Sequence, residues 1–310
     1  MNKTEFIKTS EQYLASLLSM GKSKQTVTTY SMASRKFSDF LEANYTDEQI
    51  TPLIVVNWRT KLFETGVKQN TIRHYMMVLH TFFKWCVRMK LIEENPVAIE
   101  EVPRQDGIEY DLLSLDEIKK VLSSAPSVTA KTRYRNYAIV VLLTLTGLRN
   151  QELRLLKVSD LNFENKTIHV SQTIAKGTKE REAAFPSQAR TVVKEYIEKV
   201  RPQELTDDDY LFGSFAGDHG GKAKRTAWHE FTSVGLTRIV KNWVEEITGH
   251  KNISSHDLRH AYASLADELG VPLRQLALSM GHVDERLTSR IYISILDKSS
   301  AAQTVNKYLE

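Results

Sequence analysis

Apolar residues recur at helical spacing from the start of the chain. Phe6, Tyr13, Leu14, Leu17 and Leu18 mark a first helix ending near Gly21. Ser23 suits the N-cap of a second helix, which runs through Val27, Tyr30, Phe37, Phe40 and Leu41. Thr51-Pro52 opens a third, because proline fits the first helical position, and Val55, Trp58 and Leu62 follow before Gly66. The fourth and longest carries one apolar stripe, Ile72, Tyr75, Met76, Leu79, Phe82, Phe83 and Cys86, and ends before Asn95-Pro96. Its aromatic residues fit the core of a small helical bundle far better than a base-stacking platform.

The pattern breaks at Val102-Pro103-Arg104-Gln105-Asp106-Gly107, which reads as a linker. Two domains are therefore expected, over residues 1–102 and 112–310, joined by 103–111. Ser114-Leu115-Asp116-Glu117 is a capping box that announces a new helix. Residues 134–145 are apolar almost all round and predict a buried helix, with Gly147 as its C-cap. Segments 167–172 and 180–185 flank a Lys-Gly-Thr-Lys turn and predict a hairpin, with 158–161 as a possible third strand. Helices are expected at about 187–200, 228–247, 256–269, 272–280, 286–295 and 298–309. The fold class is mainly α with one small β-sheet: an N-terminal helical bundle and a C-terminal α+β domain.

Composition narrows the class only modestly. The 310 residues are 41% hydrophobic and 26% charged, as in ordinary globular proteins, with a net charge of +4 that permits a nucleic-acid partner without demanding one. The single cysteine, Cys86, lies in an apolar stripe and excludes a disulfide within the chain. No apolar run approaches membrane-spanning length, and the N-terminus lacks a signal-peptide pattern, so a soluble cytoplasmic protein is expected.

Chemistry concentrates in the second domain. Arg149 follows a tight turn in Thr146-Gly147-Leu148-Arg149-Asn150-Gln151-Glu152-Leu153, where a fixed guanidinium can clamp phosphate oxygens. Glu152, one turn on, either orients Arg149 or forms an ordinary surface pair with it. His256 and Arg259 share one helix face in His256-Asp257-Leu258-Arg259-His260, as two groups gripping one phosphate require. A metal held by His256 and His260 is disfavoured, since Asp257 stands where a hydrolytic helix would carry glutamate and no cysteine cluster exists. His282 follows Gly281 at a helix end. Tyr292 offers a nucleophilic hydroxyl but lies among Leu287, Ile291 and Ile295, so a core tyrosine is the plain reading of that segment alone. Lys176 sits at the hairpin tip, where it can reach a minor groove or a leaving-group oxygen, or simply face solvent.

Together these segments are far more specific than any one of them. T-G-L-R-x-x-E-L, the Lys-Gly-x-Lys-Glu-Arg hairpin, H-x-L-R-H, Gly-His and a final tyrosine, spread over 146–292, resemble the tyrosine recombinase (phage integrase) family. Asn70-Thr71-Ile72-Arg73-His74-Tyr75 and Leu91-Ile92-Glu93-Glu94-Asn95-Pro96 are similar to that family's SAM-like core-binding domain. The resemblance implies a site-specific DNA recombinase working through a 3′-phosphotyrosyl intermediate on Tyr292. Arg149, Lys176, His256, Arg259 and His282 would be its further catalytic residues, and Glu152 would support Arg149. Lys176 is preferred over Lys179 because the family's lysine precedes the glycine. The same resemblance implies no cofactor and no metal. Its partners would be double-stranded DNA at specific sites, a homotetramer on that DNA, and accessory or directionality proteins. The early start of the bundle leaves Xer-like resolution, a simple phage or transposon integrase, or an inversion enzyme. A type IB topoisomerase-like nicking-closing enzyme and a non-catalytic DNA-binding regulator are the alternatives.

Overall fold

The computed structural model describes residues 1–99, 102–104, 112–171, 180–215 and 228–281. The chain divides into two compact units between residues 108 and 109.

In the first unit, local capping sets where each helix begins. Asn2 and Glu5 satisfy each other's backbone N–H groups and start α1, Lys3–Ser19. The Ser23 hydroxyl accepts from the Thr26 N–H to open α2, Lys24–Asn44. Thr51 caps α3, Pro52–Glu64, which begins on its proline, and α4 spans Gln69–Arg88. The stripe read from sequence faces inward. Phe6, Phe37, Phe82 and Phe83 are fully buried, and Phe6 meets both Phe37 and Phe82 edge-on at 5.2 Å between ring centres. Such edge-to-face pairs add to the burial of apolar area. Leu18, counted in the first stripe, is half exposed instead.

Beyond α4 the chain turns back along the bundle. The Asn95 side chain donates to the His80 carbonyl and accepts from the Val97 N–H, and Val97 and Val102 enter the same core. The Pro103 and Arg104 carbonyls accept from Arg73 and Gln69. Positions 103 and 104, expected to be linker, are thus bonded to α4; the remainder of the expected linker, 105–111, lies outside the described residues.

The second unit opens with α5, Leu115–Ser123, on the expected Ser114–Glu117 capping box. Helix α6, Lys131–Thr146, is buried on nearly every side; α8 (Ser187–Lys199), α9 (Ser233–Thr248) and α10 (Ser255–Glu268) pack around it. Between α6 and α8 come α7, Asn150–Leu155, and a three-stranded antiparallel sheet. Its strands are β1 (Leu161–Asn162), β2 (Thr167–Val170) and β3 (Arg181–Ala184), in that spatial order, with Ile168 opposite Ala183 and Val170 opposite Arg181. The last described helix is α11, Leu273–Met280.

Three expectations are corrected here. Residues 158–160 form a 3-10 turn, not a strand, because the Asp160 carboxylate accepts from the Lys157 N–H and closes the loop locally; β1 starts only at Leu161. Residues 228 and 229 do not begin a helix but pair as β5 (Trp228–His229) with β4 (Ser214–Phe215), and Thr232 then caps α9. The helix expected at 272–280 does form, but its proline precedes it. The helices expected at 286–295 and 298–309 lie outside the described residues. Among the described residues no helix is long and apolar enough to cross a membrane.

Candidate active site

The site is built where α6 ends. Gly147 closes that helix with φ of 61°, and a side chain there would bring Cβ within 2.5 Å of the Tyr262 ring, so glycine serves both the turn and the close contact. Two residues later Arg149 stands just before α7 in extended conformation. Its backbone N–H donates to Glu152 Oε2 and its Nη1 to Oε1, each at 2.8 Å. The one residue thus uses main chain and side chain on a single carboxylate.

Glu152 is 1% exposed, so the reading of it as a surface pair is set aside. A second guanidinium, Arg181 from β3, grips it through both prongs: Nη1 to Oε1 at 2.9 Å and Nη2 to Oε2 at 2.8 Å. Burial alone would raise the Glu152 pKa. The Arg181 fork, then the Arg149 contacts, outweigh that and hold the carboxyl down to about 2, so it is ionised throughout the neutral range.

Helix α10 brings the other pair. Ser254 donates to the Asp257 carboxylate from both its N–H (2.8 Å) and its hydroxyl (2.6 Å), while the His256 N–H donates to the Ser254 oxygen. Asp257 therefore serves the helix start, which accounts for an acid at that position. Asn150 at the head of α7 donates to Ser255 at the head of α10 at 2.9 Å, tying the two starts together. His256 stays open to solvent on one side and meets His260 edge-on at 4.6 Å on the other. Burial of that inner side, then the charge of Arg259, lowers its pKa below the ordinary histidine value, which favours a neutral ring near pH 7. His260 is buried more completely and falls to about 4 for the same first reason. Among the described residues no group of three or more His, Cys, Asp or Glu side chains is placed to hold a metal ion.

Arg259 is 2% exposed and donates to the carbonyls of Gly147 and Met280. Burial, then the nearby Arg149 charge, pushes its pKa down to about 9, which leaves it cationic at neutral pH. The Met280 carbonyl belongs to a set. Arg181 Nε donates to Ser279 O at 3.1 Å, Arg259 Nη2 to Met280 O, and Arg149 Nη2 to Gly281 O at 2.7 Å. The last carbonyls of a helix lack partners within it and carry the negative end of its dipole. Here three consecutive carbonyls at the end of α11 are each taken by a different arginine.

The structure thus brings Arg149, Glu152 and Arg259 into one hydrogen-bonded cluster with His256 beside it. Lys176, His282 and Tyr292 lie outside the described residues, although the cluster reaches Gly281, the neighbour of His282. Sequence reasoning missed the role of Arg181. One signal was available: strand alternation puts Arg181 on the same side as Ala183 and Phe185, both buried, and a charged residue on an inward face needs a partner.

Comparison with known proteins matches residues 112–299 to the model of the phage integrase family and residues 10–90 to that of the phage integrase N-terminal SAM-like domain. Among curated proteins, tyrosine recombinase XerD of Staphylococcus epidermidis is 27% identical over 92% of this chain and 93% of its own length. XerD of Listeria monocytogenes is 31% identical over 75% of this chain and 74% of its own. Among solved structures, the XerH site-specific recombinase bound to a palindromic difH substrate, a post-cleavage complex, superposes with a TM-score of 0.71 at 18% identity, covering 93% of this chain and 81% of that one. That likeness extends to the fold, N-terminal SAM-like unit included. With one family model covering more than half of its residues and a relative above 30% identity over three quarters of it, the chain belongs to the phage integrase family of tyrosine recombinases.

Proposed function

We propose that this site-specific recombinase cuts and rejoins DNA through Tyr292. The tyrosine oxygen attacks a scissile phosphate in line, forming a 3′-phosphotyrosine and releasing a 5′-hydroxyl. Arg149 and Arg259 stabilise the charge that develops on the non-bridging oxygens, and His282 assists them. Lys176 donates the proton to the leaving 5′-oxygen. His256, held neutral, accepts or shares a proton at the phosphate. The 5′-hydroxyl of a second strand then attacks the phosphotyrosine and reverses the step. Each step exchanges one phosphoester for another, so the scheme draws on neither ATP nor metal.

The observation that carries this reading is the convergence of Arg149 and Arg259, from the starts of α7 and α10, on adjacent carbonyls immediately before His282. Two guanidinium groups on adjacent carbonyls, one of them sharing a buried carboxylate with Arg181, concentrate the positive charge that a singly charged tetrahedral group requires. The first unit, residues 1–102, serves as a core-binding domain on the same DNA, with 103–111 as the connection to a catalytic domain of 112–310. The bound DNA carries a recombination site, and four copies assemble on it, with accessory or directionality proteins setting the outcome. The cytoplasm, where such DNA lies, is the site of action. Affinity rests mainly on phosphate contacts and falls steeply with salt.

Covalent trapping on host genomic DNA, followed by sequencing of the bound fragments, identifies the target. On a nicked suicide duplex of that sequence, wild type is expected to accumulate a covalent adduct, and Tyr292→Phe to bind without forming one. An adduct that survives in Tyr292→Phe reassigns the nucleophile. Relaxation of supercoils with no recombinant product points instead to a nicking-closing enzyme.

A further inference from the structure

Arg181 takes no part in the chemistry proposed above, yet it is the most heavily engaged arginine of the cluster. Its Nε and both Nη atoms are bonded to protein acceptors, and its side chain is 9% exposed. A guanidinium spent in this way acts through its neighbours. We propose that Arg181 is a positioning residue: it fixes Glu152, and through it the Arg149 guanidinium, while holding the end of α11, next in sequence to His282.

Three observations carry this assignment. The first is the fork. Two parallel N–H bonds of 2.8 and 2.9 Å lock the plane of the Glu152 carboxylate, and the remaining lone pairs accept Arg149 Nη1 and the Arg149 backbone N–H. Arg149 leans on a carboxylate whose orientation Arg181 sets. The second is the contact with Gly281. A Cβ built there would lie 2.9 Å from Cδ, Nε and Cζ of Arg181, so the backbone rests directly on the guanidinium, in a left-handed conformation with φ of 64°. The third is reach. Positions 152, 181 and 279 belong to α7, β3 and α11, and the Arg181 side chain is bonded to both of the others. Lysine, a single point donor on a flexible stem, cannot make this double contact.

The charges around Glu152 define the test. Arg149 faces it from the start of its own helix, Arg181 from β3, and Arg259 on α10 lies near enough to respond to its charge, with His256 beyond. Removing Arg181 leaves a buried carboxylate with Arg149 as its one directly bonded cation. Its proton affinity then rises, and a protonated Glu152 no longer holds Arg149.

The proposal deepens the reading of Arg149 as the phosphate clamp and rests on it. On the nicked suicide duplex, Arg181→Gln is expected to form adduct about 100-fold more slowly, the scale of a small misplacement at a reacting centre, with unchanged affinity for the duplex. Arg181→Lys is expected to restore little. The adduct rate of Arg181→Gln is expected to gain an acid limb that wild type lacks, and the Glu152→Gln/Arg181→Gln double variant to lose that limb. A residue that merely stabilised the fold would create no new ionisation. A wild-type rate in Arg181→Gln, or a loss without a limb dependent on Glu152, overturns the proposal. Should Arg181→Gln fail to fold, 13C NMR titration of the Glu152 carboxyl in wild type and Arg181→Lys decides it: a raised pKa in the variant supports the proposal, an unchanged one refutes it. If wild type forms no adduct on the duplex, the reading of the site fails, while this titration still decides whether Arg181 controls Glu152.

Discussion

The two units bury different things. Among the described residues, the first unit buries the small polar residues Thr9, Ser10 and Ser34 but no charged one, around a cluster of rings from four helices. The second unit buries Glu152, Arg201, Arg259 and His260 within or beside an aliphatic core centred on α6. Arg201 spends its Nη atoms on backbone carbonyls of the 205–210 segment and has a structural role there. The other three lie at the candidate site. A core of rings tolerates many equivalent packings and asks only for apolar volume. A core containing ionised groups tolerates few, because each charge taken out of water must be met by an oriented partner. The first unit is organised for stability, and the second gives up some stability to hold charge in fixed places.

That contrast predicts where each unit is most fragile. The largest loss is expected for Phe82→Ala, which empties a fully buried position touching Phe6, Tyr13, Phe83 and Trp85. Its cost is about 3 to 5 kcal/mol. Urea denaturation measures it, and amide hydrogen exchange is expected to place the loosening in α1–α4 and spare α6.

Acid should separate the units next. The Glu152 carboxyl, ordinarily near 4.5, is held down to about 2 in the folded chain. A depressed carboxylate contributes stability that is complete above its unfolded pKa and disappears as pH falls toward its folded one. That contribution is about 3 kcal/mol, lost between roughly pH 5 and 2. Glu152→Gln cannot titrate, so its urea midpoint is expected to start lower at neutral pH and to fall less steeply with acid; an identical slope would refute the assignment.

The smallest effect sharpens the same point. Arg133 and Glu246 form a pair as short as any in the site, 2.6 Å, but both side chains are about half exposed. Glu246→Gln is expected to leave the thermal melt almost unchanged, since water already solvates both charges.

The same division decided how much the sequence disclosed. Helices announced by caps, at Ser23, Thr51 and Ser114, and by a stripe or a solid apolar run, in α4 and α6, were legible because their causes are local. The pairing of Ser214 with His229 was not, since a two-residue strand leaves no periodicity and its partner lies across a gap in sequence. The turn at 158–160 misled because its Asp160 bond competes with an extended reading of the same residues. At the site, Arg149 and Arg259 stood out by their surrounding words. Whether Glu152 was buried depended on β3 arriving from 29 residues away with Arg181. Nothing local to Glu152 encodes that approach.

The three arginines at the end of α11 carry one more consequence, which concerns arithmetic. Arg149 and Arg181 draw on one carboxylate, and both join Arg259 in securing a single helix terminus. Groups with shared partners do not have separable energies. Each single replacement strands what the other two still need, whereas the second and third replacements find the damage already done. The sum of three single losses therefore exceeds the loss in the triple variant, and the cluster behaves as one indivisible unit of the protein.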